Sequence, residues 1–84
     1  VDYFADWCGP CKVMAPVYER VARDMEPRAR FIKINTDEAQ ALAGRMRIRG
    51  IPTFAVMKGG REVARVSGAM SAGEFRAWVE AHAA

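Results

Sequence analysis

The sequence predicts an α/β fold, a mixed central sheet with helices on both faces in the order β-α-β-α-β-β-α. Three observations carry this. Runs of strand length at 1–5, 30–36, 53–58 and 62–66 are separated, except for the last pair, by segments with the three- and four-residue apolar spacing of helices. The first two runs are joined through a helix, which makes them parallel, whereas Gly59-Gly60 between the last two is a hairpin signal. The pair Cys8 and Cys11 stands where the first strand gives way to the first helix, at the carboxyl edge of the sheet, where such folds place their sites.

Residues 1–5 read as a buried strand, apolar on both sides except at Asp2, whose carboxylate is costly there unless it is paired or used. From Pro10 to Met25 the stripe Met14, Val17, Tyr18, Val21 and Met25 marks a helix, with Glu19, Arg20, Arg23 and Asp24 turned outward. Pro16 removes one ladder hydrogen bond and predicts a kink near it, and Pro27 ends the helix. The run Arg30–Thr36, with Phe31, Ile32 and Ile34, suggests a largely buried strand. Asp37 and Gln40 form a capping signal for a short helix through Ala39–Ala43 that ends at Gly44. Thr53–Lys58 and Glu62–Val66 are the hairpin strands, and Gly68 breaks the second. Ser71 and Glu74 form a capping box for a last helix with the stripe Phe75, Trp78 and Val79. There is no internal repeat, linker or low-complexity segment.

The chain has 84 residues, 51% hydrophobic and 27% charged, which is the composition of one globular domain with a modest core. Its net charge of +3 is scattered among interleaved acids, which argues against nucleic-acid binding. Arg45, Arg47 and Arg49 make the single local basic group, equally readable as a rim on the substrate side. No run is long enough to span a membrane. Two close cysteines are too few for a secreted disulfide scaffold and point to redox or metal chemistry in a reducing compartment.

Two cysteines with two residues between them can close a small disulfide ring, supply two ligands of a metal, or run thiol–disulfide exchange. Placed at a helix N-terminus, Cys8 would meet unsatisfied N–H groups and the positive end of the helix dipole. Both favour the thiolate, the form that attacks a disulfide, and the position suggests that Cys8 is the exposed cysteine. Pro10 suits the first helical turn. A zinc site needs about four ligands. The chain offers two cysteines and one distant histidine, His82, better read as a helix-end residue, so metal binding by this chain alone is rejected.

The segment Val1-Asp2-Tyr3-Phe4-Ala5-Asp6-Trp7-Cys8-Gly9-Pro10-Cys11-Lys12 resembles the active-site segment of the thioredoxin family. Arg49-Gly50-Ile51-Pro52-Thr53 is similar to the family's proline loop, and Lys58-Gly59-Gly60 with Val66-Ser67-Gly68-Ala69 to its closing hairpin and final loop. The resemblance covers the whole chain in order. It implies a thioredoxin-like three-layer α/β/α domain over residues 1–84. The family carries a further strand and helix, and the start of the central strand, before the point where Val1 stands. Without them one side of the sheet is expected to lack its cover and the chain to be less stable than a complete member. Phe4 stands where many members have Trp. The Glu26-Pro27-Arg28 and Gly60–Arg65 segments resemble the second bacterial type, which often carries an N-terminal zinc-binding segment that would here have been lost.

The resemblance also assigns roles. Cys8 would attack a substrate disulfide and Cys11 would resolve the mixed disulfide. Asp2 would take the proton of Cys11, directly or through water, with Lys33 as its partner; the alternative is a buried ion pair without a catalytic role. A cis bond would precede Pro52, which would face the cysteines. Trp7, Gly9, Pro10, Ile51, Gly68 and Ala69 would form a flat apolar contact surface, with the Ile51 backbone pairing with an extended substrate. The implied activity is protein-disulfide reduction by a cytoplasmic monomer that needs no cofactor beyond the Cys8–Cys11 pair and is itself reduced by an NADPH-linked flavin thioredoxin reductase. The rival readings are a binding or scaffold module on the same fold, and one domain of a larger oxidoreductase.

Overall fold

The structure is a computed structural model and describes residues 1–83. The elements are β1 (Asp2–Phe4), α1 (Gly9–Met25), β2 (Lys33–Asn35), α2 (Gln40–Arg45), β3 (Thr53–Lys58), β4 (Arg61–Ser67) and α3 (Ala72–Ala83), in the expected order. The four strands form one sheet in the order β2-β1-β3-β4, with β1 and β2 parallel and the other pairs antiparallel.

Register fixes which side chains share a face. Asp2 lies opposite Lys33 on β2 and Phe54 on β3, and Phe54 lies opposite Val66 on β4, so these four line one face. That face carries the main core. Met14, Tyr18, Val21 and Met25 of α1 pack with Phe54 and with Phe75 and Val79 of α3. The Phe54 and Phe75 rings sit 4.8 Å apart, and Tyr18 donates its hydroxyl proton to the Ile32 carbonyl at 2.6 Å. A buried phenol satisfied in this way costs little, so the stripe read from spacing is core. The opposite face carries Tyr3, Thr53, Ala55 and Arg65. Here the Arg65 guanidinium donates to the carbonyls of Met46 and Arg47 just beyond α2, which holds the end of that helix against the sheet.

Local signals explain the joints. Gly59 and Gly60, with φ of 59° and 77°, make the two-residue turn between β3 and β4, a geometry other residues rarely adopt. Ser71 and Glu74 cap α3 reciprocally: the Glu74 N–H donates to Ser71 Oγ at 3.1 Å, and the Ser71 N–H to the Glu74 carboxylate at 3.0 Å. Arg76 of α3 pairs with Asp24 of α1. The helix α1 runs unbroken through Pro16. Among the described residues, no helix is long and apolar enough to cross a membrane.

Two expectations are corrected. The run 30–36 is not a largely buried strand: only Lys33–Asn35 pairs, and Ile32 is 46% exposed. The physical reason is position, because β2 is the edge of the sheet and has β1 on one side only. Asp37 does not cap α2. The N-cap is Ala39, without a side-chain bond, and the Asp37 carboxylate is used elsewhere.

Candidate functional site

The site begins with the helix cap. Cys8 adopts extended backbone angles (φ −85°, ψ 111°) as the N-cap of α1, and its Sγ accepts the Cys11 N–H at 3.2 Å. A sulfur in the capping position thus meets both a donor and the positive end of a 17-residue helix. Pro10 in the first turn loses no bond by lacking an N–H. The two cysteines are joined as a disulfide with Cα atoms 5.2 Å apart, closing a ring over the start of the helix.

Cys8 is not the exposed cysteine expected from its place at the helix start. It is 4% exposed and Cys11 is 5% exposed. Ala5 and Cys11 pack around it, with Phe4 and Ile51 closing the cluster. In this oxidised state access to the sulfur is restricted from two sides. Cys8 Sγ also lies 3.6 Å from the Ile51 carbonyl oxygen. That approach is a contact here and becomes a hydrogen bond only when reduction puts a proton on the sulfur.

The Ile51–Pro52 peptide bond is cis. Pro52 is fully buried, and Ile51 packs against the cluster of Ala5, Cys8 and Cys11. Thr53 fixes the loop from below by donating its hydroxyl to the Gly50 carbonyl, and the Gly68 N–H reaches the Pro52 carbonyl at 2.9 Å. Gly9, Pro10 and Ala69 are exposed around this point, and Gly68, at φ 96°, is half-buried. Trp7 is 69% exposed, the largest apolar side chain presented near the cysteines. Its orientation is set, because its indole N–H donates to Asp37 at 2.8 Å. Sequence reasoning missed this contact: the two residues are 30 apart, and the local pattern around Asp37 points to a cap instead.

Asp2 is 2% exposed, and its Oδ1 has no hydrogen-bond partner among the described residues. Burial pushes its carboxyl up to about 6, while the Lys33 ammonium and the amino terminus oppose the rise. Lys33 is opposite Asp2 in register and remains exposed, with its ammonium 4.7 Å from the centroid of the Phe4 ring. Phe4 therefore holds the cation on the Asp2 side of the sheet, which the sequence did not show. A cleft of about 150 Å³ lined by Phe4, Ala5, Asp6, Cys11, Lys12, Ala15 and Lys33 opens onto the second cysteine. Its size admits a few waters. Asp2 does not line it, so the cleft brings Cys11 and Lys33 together without the carboxylate.

Chemically, the arrangement offers a capped sulfur suited to the anionic state, a second sulfur one turn deeper, and a carboxyl poised to exchange protons near neutral pH. Comparison with known proteins agrees with this. A family model described as Thioredoxin matches residues 1–81. The chain is 43% identical over 82 residues to a thioredoxin of Pseudomonas aeruginosa, covering 98% of this chain and 76% of that protein. It is 40% identical to Thioredoxin 1 of Nostoc sp., covering 98% and 77%. Among solved structures, a mutant thioredoxin from Halobacterium salinarum superposes with a TM-score of 0.87 at 36% identity, over 99% of this chain and 72% of that one. The chain thus spans about three quarters of the length of these relatives.

Proposed function

Since this chain belongs to the thioredoxin family and is an oxidoreductase of that type, we propose that it reduces protein disulfides, with Cys8 attacking and Cys11 resolving. The observation that carries the reading is the Cys11 N–H directed at Cys8 Sγ on the cap of α1. With the pair reduced, the Cys8 thiolate attacks one sulfur of the substrate disulfide. The substrate S–S bond breaks, one substrate thiolate leaves, and a mixed disulfide forms. Cys11 gives up its proton to the Asp2 carboxylate, directly or through a water. Its thiolate then attacks Cys8 Sγ, releasing the second substrate thiolate and closing the Cys8–Cys11 disulfide. Two electrons have passed from the dithiol to the substrate, and no cofactor takes part.

Lys33 lowers the cost of the charge on Asp2 once the proton has left. Trp7, Gly9, Pro10, Ile51, Pro52, Gly68 and Ala69 form the substrate surface in this reading, with the Ile51 backbone pairing with an extended segment. Substrates are folded or unfolded proteins carrying a disulfide, and an NADPH-linked thioredoxin reductase returns the electrons. We assign the chain to the cytoplasm as a monomer, a compartment where a dithiol of this kind stays reduced.

A coupled assay tests this. With thioredoxin reductase, NADPH and insulin as the disulfide substrate, the chain should support continuous NADPH oxidation proportional to its concentration. Stable binding to disulfide proteins without turnover, in an assay where another thioredoxin is active, would instead make it a scaffold.

A further inference from the structure

The segment between α2 and the Ile51 loop carries Arg45, Arg47 and Arg49, all exposed, with Met46 and Ile48 turned partly inward between them. Its backbone is fixed. The Arg65 guanidinium holds the Met46 and Arg47 carbonyls at 2.6 and 3.2 Å, the Ile48 N–H bonds to the Ala43 carbonyl at 3.0 Å, and Thr53 holds the Gly50 carbonyl. Arg47 sits at a φ of 56°, a left-handed conformation that a residue with a side chain rarely adopts. Three like charges within five residues repel one another. None of the three guanidinium groups has a hydrogen bond or ion pair among the described residues.

The sequence supplies no acid to neutralise them. No Asp or Glu occurs between Glu38 and Glu62, and Glu62 is held by Arg65. The segment runs directly into Ile51, whose carbonyl lies beside Cys8 Sγ. Arg49 thus stands two residues before the carbonyl that lies beside Cys8. The cleft beside Cys11 is lined by Asp6 together with Lys12 and Lys33, and Asp37 is engaged by the Trp7 indole. The segment that leads into Ile51 therefore carries a positive charge with no acid of its own to offset it.

We propose that Arg45, Arg47 and Arg49 form a docking rim for acidic polypeptide, so that the chain selects disulfides flanked by Asp and Glu. The inference rests on the reductase reading and adds a substrate class to it. Charges at the rim of an interface act mainly on the rate of encounter, and their effect is screened by salt.

The test uses three peptides with one intramolecular disulfide each, differing only in flanks of three Asp, three Ser or three Lys. At about 20 mM salt the Asp peptide should show kcat/KM about tenfold above the Ser peptide, with the Lys peptide below it, and the spread should fall to within about twofold at roughly 0.5 M. In the triple variant Arg45→Gln, Arg47→Asn, Arg49→Gln the Ser peptide should keep its wild-type rate while the preference disappears; Asn suits the left-handed position. Arg49→Glu, a single change, should reverse part of the preference. Equal rates on all three peptides with the wild-type chain, or a preference that survives in the triple variant, would overturn the rim. Absence of reduction of any peptide would overturn the reductase reading itself.

Discussion

Replacing Cys8 with Ser is expected to lower disulfide reduction by at least about 10³-fold, because removal of a nucleophile abolishes the first covalent step rather than slowing it. Cys11→Ser should fail differently. It retains the capping sulfur of Cys8, and so still attacks, but cannot release the product. The expected result is accumulation of a mixed disulfide between Cys8 and the substrate, visible as a mass increase that dithiothreitol removes. The two variants together separate attack from resolution. Accumulation of the mixed disulfide on Cys11 in the Cys8→Ser protein, at the rate seen for Cys8 in the other, would exchange the two roles.

Asp2→Asn should change both stability and the later chemical step. The sign follows from burial. The carboxyl titrates near 3.8 when unfolded and about 6 when folded, so the folded state binds the proton more tightly. Below about pH 4 the group is protonated in both states and costs nothing. As the pH rises through the window from about 4 to 6 the folded state loses stability, and above it the full penalty applies. The shift corresponds to at most about 3 kcal/mol, of which partial screening leaves on the order of 2. Measured by urea denaturation, the stability of Asp2→Asn relative to wild type should therefore improve by about 2 kcal/mol between about pH 4 and pH 8. In rapid-mixing experiments the formation of the mixed disulfide should be little changed and its resolution slowed on the order of 10²-fold. A relative stability that does not vary with pH would remove the buried charge from the account, and unchanged resolution would remove Asp2 from the mechanism.

These effects depend on features that the sequence disclosed unevenly. The element order was legible because each joint has a local signature: the stripe from Met14 to Met25, the Gly59-Gly60 turn, and the Ser71–Glu74 cap. The cysteine pair and the Ile51-Pro52 loop were legible as motifs. What failed was what depends on distant partners. Asp37 has the right spacing for a cap, but its carboxylate is bound by the Trp7 indole, 30 residues away, which no local pattern reports. Phe4 and Lys33 meet only because β1 and β2 pair in parallel with Asp2 opposite Lys33. A helix start suggests a surface position for Cys8, yet Ala5 and Ile51 close over the disulfide. The strand at 30–36 looks buried from its isoleucines, whereas its edge position leaves Ile32 in solvent. Composition shows which residues can be buried, and topology decides which are.

The reduction potential of the Cys8–Cys11 pair tests the central claim most directly, by equilibrating the chain in graded dithiothreitol or glutathione buffers and quenching the thiols. A single two-electron transition is expected near the roughly −270 mV typical of thioredoxins. A transition above about −200 mV, in the range of disulfide-donating proteins, would contradict it.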